Sequence, residues 1–396
     1  MNYNFSEQVS HLHASAIREI LKFTVDPEVT SFAAGNPAPE AFPVEDVQRI
    51  AKELFEQEPI NVLQYGITEG YTPLRNLMKA RMQAQGNFKP ETEELIITSG
   101  AQQVMELACK SLCDPGDTLI AEAPSFIGSL NAFKSYNVNL VGVPLDDEGM
   151  DPVKLEEALK ANPNTKLIYL IPNFQNPTGL SYSQEVHDKV VEIIKNSNVM
   201  ILEDNPYREL RFAGTATNSF GAELGEQACM LGTFSKIVTP GMRIGWICVR
   251  NKALRDKLLS YKATADLHTN IFSQMVLAQY LADNDVDAHI EKTKQLYKQK
   301  AELMMDCLRK YLPAGVTFTP TQGGMFLWVS LPEGMTAVEL YRKALDKGVA
   351  ICPGDPFYET ERNVRTFRIN YSNSTDEAIE TGIKILGEVC AEMLNA

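Results

Sequence analysis

The strongest constraint in this chain is an alternation. From about residue 44 onward, short apolar runs with strand character take turns with stretches of helical spacing. The strand candidates are 95–98, 118–122, 140–143, 167–171, 200–203, 230–233 and 244–249, and helical patterns intervene at 101–112, 152–160, 184–195 and 252–265. Several of the strand candidates are apolar at nearly every position, as strands are when both faces are buried. Such strands joined through helices predict an α/β fold with a mostly parallel sheet flanked by helices on both sides.

After about residue 283 the texture changes. A long polar-faced helix is predicted over 287–311, then an apolar run at 324–330, a helix near 337–347, a strand-like run at 366–371 and a last helix near 376–393. This reads as a smaller α+β domain. The first forty-odd residues, with a helical pattern over 14–22 and a Gly/Pro-rich stretch over 32–43, are expected to pack with it. The expected organisation is a large domain over 45–285 and a discontinuous small domain made of 1–44 and 286–396.

Composition narrows the partners. Lys and Arg number 37 against 51 Asp and Glu, a net charge of −14. Nucleic-acid binding depends on basic side chains that neutralise phosphates, so this balance argues against it and against an anionic membrane surface. A few local arginines can still hold a small anion. No run approaches the roughly 18–20 apolar residues of a membrane helix, and residues 1–13 lack the apolar core of a signal peptide. The seven cysteines are odd in number and scattered, which reads as reduced thiols in the cytoplasm. Cys109 and Cys113 are spaced for one helix face, but no second Cys or His pair has ligand spacing, and the five histidines show none either. No metal is expected.

Open α/β sheets bind ligands at the carboxyl ends of their strands. After 95–98 comes Ser99-Gly100-Ala101-Gln102, opening a helix; after 167–171 comes Asn176-Pro177-Thr178-Gly179. After 200–203 come Asp204 and Tyr207, and after 230–233 come Ser235 and Lys236, with Arg243 seven residues further on. Singly, each has an ordinary reading: Asn-Pro-Thr-Gly is a turn, Ser-Gly and Asp are helix caps, and Ser-Lys is a surface pair. Their joint occurrence in this order carries the information.

That ordered set, with Tyr65, Gly70-Tyr71 and Leu74-Arg75 before it and Arg368 after it, resembles the class I/II aminotransferases, pyridoxal 5'-phosphate (PLP) enzymes of fold type I. The resemblance covers nearly the whole chain. It implies that Lys236 is the amine holding the cofactor's aldehyde as an imine and later carrying the substrate Cα proton. It implies that Asp204 pairs with the protonated pyridine nitrogen and that Tyr207 and Asn176 donate to the ring's phenolic oxygen. The phosphate would be held by the helix start at Gly100, Ala101 and Gln102, by Ser235, with Thr233 a further candidate, and by Arg243. Ala101 stands where many relatives have Ser or Thr, so one hydroxyl contact is missing. Phe126 would stack on the ring; its other reading is core packing. Tyr65 would reach the phosphate of the other subunit in a homodimer with shared active sites.

The implied reaction moves the α-amino group of an amino acid to a 2-oxo acid such as 2-oxoglutarate, with ping-pong kinetics. Arg368 would bind the substrate α-carboxylate as a fork, and the loop at Gly35 would close over the substrate. The motifs around Ala16, Ser31 and Gly323 are similar to the subgroup that holds 2-aminoadipate and kynurenine aminotransferase-like proteins. There the arginine matching Arg18 can reach a distal carboxylate; an exposed helix residue is its alternative reading. Specificity is expected to be broad, over 2-aminoadipate, glutamate, aromatic or branched amino acids. Two other readings stay open. One is a PLP lyase or decarboxylase of the same fold. The other is an effector-sensing aminotransferase-like module, against which we expect too few residues ahead of the Gly35 loop for a DNA-binding domain. A nucleotide-binding dehydrogenase is discounted, because no Gly-x-Gly-x-x-Gly follows a strand and no phosphate-loop lysine is present.

Overall fold

The computed structural model of the protein describes residues 4–10, 28–86, 88–360 and 362–395. The helix predicted over 14–22 lies outside the described residues. Eight strands form the main sheet: β1 (Leu95–Ser99), β2 (Thr118–Ala123), β3 (Asn139–Asp146), β4 (Gly149–Met150), β5 (Thr165–Leu170), β6 (Met200–Asp204), β7 (Ala228–Thr233) and β8 (Ile244–Val249). Their order across the sheet is β1-β8-β7-β6-β5-β2-β3-β4.

Alternation along each strand explains the layering. Leu167 and Tyr169 of β5 pack on the face that receives Val104 and Met105 of helix Ala101–Leu112 and Phe133 of helix Ile127–Lys134. Ile168 and Leu170 pack on the opposite face, against Val186 and Val190 of helix Gln184–Lys195. That helix starts where Ser183 accepts a hydrogen bond from the Val186 amide at 3.2 Å, an ordinary N-cap. Both faces are therefore apolar and covered, and polar groups collect at the strand ends.

The sheet is parallel, with two exceptions. The short β4 folds back on β3, and β8 runs antiparallel to both β1 and β7. The second exception follows from chain length. A parallel crossover needs about a dozen residues and usually a helix, whereas only 234–243 separate β7 from β8. The chain must reverse there, and the reversal carries Ser235, Lys236 and Arg243 at the sheet's edge. Immediately after it, Gly245 lies against the start of helix Ala101–Leu112: a Cβ at this position would sit 2.4 Å from the Gly100 carbonyl carbon and 2.6 Å from the Ala101 nitrogen.

A second sheet joins β9 (Thr317–Phe318), β10 (Phe326–Ser330), β11 (Cys352–Pro353) and β12 (Thr366–Asn370) in the antiparallel order β9-β10-β12-β11. Helices Val286–Tyr311 and Asp376–Leu394 pack against each other beside it. Early and late chain meet here, because Thr30–Ser31 pairs in parallel with Val349–Ala350. One apolar cluster, including Phe32, Leu74, Met275, Tyr297, Phe326 and Leu386, runs between the two sheets. Among the described residues no helix is long and apolar enough to cross a membrane.

The contact at Gly245 is with backbone, which cannot move aside as a side-chain tip can. Gly245→Ala is expected to destabilise the fold by about 1–3 kcal/mol, the usual cost of overpacking. Urea unfolding checks this; a midpoint equal to the parent's would mean that the helix start shifts freely.

Candidate active site

The carboxyl ends of β6 and β7, the helix starts after β1 and β2, the turn after β5 and the loop before residue 37 enclose a cavity of about 380 Å³. Lys236 enters it from the β7–β8 reversal and donates from Nζ to the Gly35 carbonyl at 2.8 Å. Burial lowers its ammonium pKa to about 8, and the nearby charges of Arg368 and Arg243 push in the same direction. An amine so placed loses its proton far more readily than a solvated lysine.

Asp204 closes β6. Its Oδ2 accepts from the Tyr169 hydroxyl at 2.7 Å, and that hydroxyl accepts from Ser129 Oγ at 2.9 Å. The other oxygen, Oδ1, is buried without a hydrogen-bond partner. Burial lifts the Asp204 carboxyl to about 7, against the pull of Tyr169's hydrogen bond. An unmatched buried acceptor is costly, so Oδ1 marks a place for a donor.

Arg368 comes from β12. It donates from Nη1 to Asn176 Oδ1 at 2.8 Å and from Nη2 to the Ala33 carbonyl at 2.6 Å. Its guanidinium lies 4.3 Å from the Phe326 ring centre and 5.1 Å from that of Phe357. Its Nε is buried and unpartnered, so donors remain for an anion. Asn176 in turn donates to the Tyr207 hydroxyl at 3.5 Å, whose own proton is held more tightly because of burial.

At the opposite end, Gly100 caps helix Ala101–Leu112 with φ +74°. A Cβ there would lie 2.4 Å from Arg243 Nη2, so the missing side chain is what lets the guanidinium reach the helix start. Arg243 itself adopts φ 56°, a conformation costing a non-glycine residue roughly 1–2 kcal/mol that the tight reversal imposes. Ala101, Gln102, Phe126 and Ser235 line the same cavity, and Thr233 Oγ1 donates to Ser235 Oγ at 2.9 Å.

The structure thus brings together around one cavity Gly35, Ala101, Gln102, Phe126, Asn176, Asp204, Tyr207, Ser235, Lys236, Arg243 and Arg368, with Gly100 just behind Arg243. Tyr65 is not among the lining residues; it is 78 % exposed and meets the His268 ring edge-on at 5.7 Å. Arg18 lies outside the described residues. Sequence reasoning missed the groups behind the wall: Ser129, Tyr169, Glu122 and Gln175. Glu122 accepts from Tyr182, Ile171 and Gln175 at 2.7, 3.1 and 2.9 Å, and burial lifts its carboxyl to about 8. Gln175 also accepts from the Thr178 amide and hydroxyl at 3.0 and 2.7 Å, which fixes the turn bearing Asn176. The available signal was a single acidic residue inside the apolar run 118–122.

Elsewhere, ligand atoms of His187, Asp188 and Glu223 come within 4.8 Å of one another, a grouping that spacing did not show. The His187 ring packs on Phe220 at 4.3 Å and its Nδ1 lies 3.1 Å from Asp188 Oδ1.

The family model for aminotransferase class I and II matches residues 27–386, and the chain belongs to that family of PLP enzymes. It is 40 % identical to the aromatic-amino-acid aminotransferase 1 of Thermococcus litoralis, over 98 % of this chain and 94 % of that protein. The structure of Pyrococcus horikoshii kynurenine aminotransferase in complex with PMP superposes with a TM-score of 0.94 at 35 % identity, over 99 % of this chain and 98 % of that one. The α-aminoadipate aminotransferase of Thermus thermophilus, complexed with N-(5'-phosphopyridoxyl)-L-leucine, superposes at 0.91 with 34 % identity over the same shares. The chain is therefore an aminotransferase of fold type I, and its cofactor is PLP.

The amine reacts only when unprotonated, so capture of aldehydes by Lys236 in the cofactor-free protein is expected to rise with pH and reach half its maximum near pH 8. Borohydride trapping with peptide mapping, repeated across pH, reads this directly. A midpoint at the ordinary lysine value, about 10.4, would contradict the desolvation argument.

Proposed function

We propose that this enzyme transfers the α-amino group of acidic, aromatic and branched amino acids to a 2-oxo acid such as 2-oxoglutarate, with ping-pong kinetics. The observation that carries the reading is the convergence of Lys236, Asp204, Arg243 and Arg368 on one cavity. The residues fit PLP at each of its polar ends. The unpartnered Oδ1 of Asp204 suits the protonated ring nitrogen, and the helix start at Gly100, Ala101 and Gln102, with Ser235 and Arg243, suits the phosphate. Asn176 and Tyr207 suit the phenolic oxygen, and Phe126 suits the ring face. When bound, PLP supplies a carbonyl that takes up the amino nitrogen and a ring that withdraws electrons from Cα.

The chain's own residues supply the rest. Arg368, with Nε unpartnered, holds the substrate α-carboxylate and so orients Cα toward Lys236. Lys236 Nζ, made less basic by burial and two cationic neighbours, takes the Cα proton and gives it up again. The loop at Gly35, whose carbonyl already meets Nζ, limits the access of water. Arg18 is the candidate partner for a distal carboxylate.

The same reading includes a homodimer. Ile60, Leu63, Tyr65 and Ile67 are 71, 74, 78 and 52 % exposed within one short segment, an apolar concentration that suits an interface. Tyr65 would there reach the partner's phosphate. The division into 45–285 and 1–44 with 286–396 is supported by the pairing of Thr30–Ser31 with Val349–Ala350. A cytoplasmic location is supported by seven free thiols.

A half-reaction screen tests specificity. Holoenzyme mixed with single amino acids and no oxo acid should lose its visible cofactor band with glutamate, 2-aminoadipate, an aromatic amino acid and leucine; loss with only one side-chain class would overturn the breadth. Arg18→Ala should raise KM for glutamate and 2-aminoadipate far more than for leucine, and equal rises would remove Arg18 from specificity. Arg368→Gln should lower kcat/KM on the order of a hundredfold for all substrates, because it removes charged hydrogen bonds to the shared carboxylate. Leu63→Glu should convert a species near twice 44.1 kDa into monomer by light scattering; an unchanged mass would place the interface elsewhere.

A further inference from the structure

We propose that Tyr169, fixed by Ser129, is a positioning residue that holds the Asp204 carboxyl ionised and turned so that Oδ1 faces the cavity. The inference rests on the reading that Asp204 meets the ring nitrogen of PLP. Tyr169 belongs to β5 and Asp204 to the adjacent β6, and neither is exposed to solvent beyond 3 %. The phenol has one proton, and it goes to Asp204 Oδ2 at 2.7 Å. Its direction is set from behind, where Ser129 Oγ donates to the same phenol oxygen at 2.9 Å. The ring is held edge-on by Phe133, with centres 5.3 Å apart. Ser129 and Phe133 both belong to helix Ile127–Lys134, which follows directly on Phe126. One relay therefore ties the residue proposed to face the cofactor ring to the residue proposed to hold its nitrogen.

The other titratable groups around Asp204 are already engaged elsewhere. Glu122 on β2 bonds Tyr182, Gln175 and the Ile171 amide. Tyr207, in the loop after β6, receives its hydrogen bond from Asn176, and Lys236 across the cavity bonds Gly35. Among the described residues Tyr169 is the donor that Asp204 has. Without it, burial acts unopposed, favouring the neutral acid, and nothing fixes which oxygen faces the cavity. A neutral or rotated carboxyl no longer pairs with a protonated ring nitrogen.

Tyr169→Phe removes one oxygen and keeps the packing. It is expected to weaken PLP retention roughly tenfold or more, the range for a hydrogen bond to a charged group. In the cofactor-free protein it should raise the Asp204 titration midpoint by about one pH unit, read by carboxyl carbon NMR and assigned through Asp204→Asn. Equilibrium dialysis of the holoenzyme gives the first quantity. If Tyr169→Phe matches the parent in both while Asp204→Asn loses the cofactor, the relay is overturned and the role of Asp204 stands. If Asp204→Asn retains PLP as the parent does, the site reading falls with it. Should Tyr169→Phe not fold, Ser129→Ala is expected to move both quantities in the same direction by less; no movement in either overturns the relay.

Discussion

The site depends on the dryness of the sheet edge at which it stands. Strands β5, β6 and β7 are buried on both faces apart from Lys166 at the start of β5, so little solvated surface is available to their side chains, and the polar groups of the site gather where the strands stop. There they are only partly rehydrated, and removal from water acts oppositely on acids and amines. The Asp204 carboxyl is pushed up and the Lys236 ammonium is pushed down. Both reach the neutral range without any exotic partner. A less completely covered sheet would hold the same residues in the same order with ordinary acidities and far less use for them.

That edge alone does not make a substrate site. Arg368 arrives from the second sheet, and the carbonyl it grips, Ala33, from near the start of the chain. Asn176, from the main sheet's own turn, accepts its other arm. The guanidinium thus pins three stretches of chain distant in sequence, and its planar fork between Phe326 and Phe357 is what makes one residue able to do so. The pairing of Thr30–Ser31 with Val349–Ala350 is the scaffold that brings Ala33 within reach.

The sequence displayed seven of the eight strands of the main sheet, all but the two-residue β4, because each is a mostly apolar run; helices Ala101–Leu112, Gln184–Lys195 and Lys252–Ala265 coincide with their periodic segments. Asn176, Asp204, Tyr207, Ser235 and Lys236 stood out because they follow those runs, whereas Arg368, within β12, and Gly35 came from the resemblance. What stayed hidden was whatever reads as ordinary core. Tyr169 is one more large residue in an apolar strand, and only the tertiary fold shows that its hydroxyl ends on Asp204. Ser129 is a small residue on a helix. The reversal of β8 was equally unreadable from hydrophobicity, since a buried antiparallel strand and a buried parallel one have the same pattern; the shortness of 234–243 was the clue. Arg18 and the helix predicted around it lie outside the described residues, so its part in the site rests on resemblance alone.

Charge brings these points together. The chain carries −14 overall, yet the candidate active-site cavity gathers Lys236, Arg243 and Arg368 around a single lining carboxyl, that of Asp204. Global repulsion of anions is weak beyond roughly 10 Å at moderate salt, whereas these cations act at contact distance in a dry site. A ligand with a phosphate at one end and a carboxylate at the other would neutralise Arg243 and Arg368 separately. The two guanidiniums enter from different sheets. In the proposed roles of Arg243 and Arg368, it is the separation of the two guanidiniums, rather than the net charge, that would select between anions.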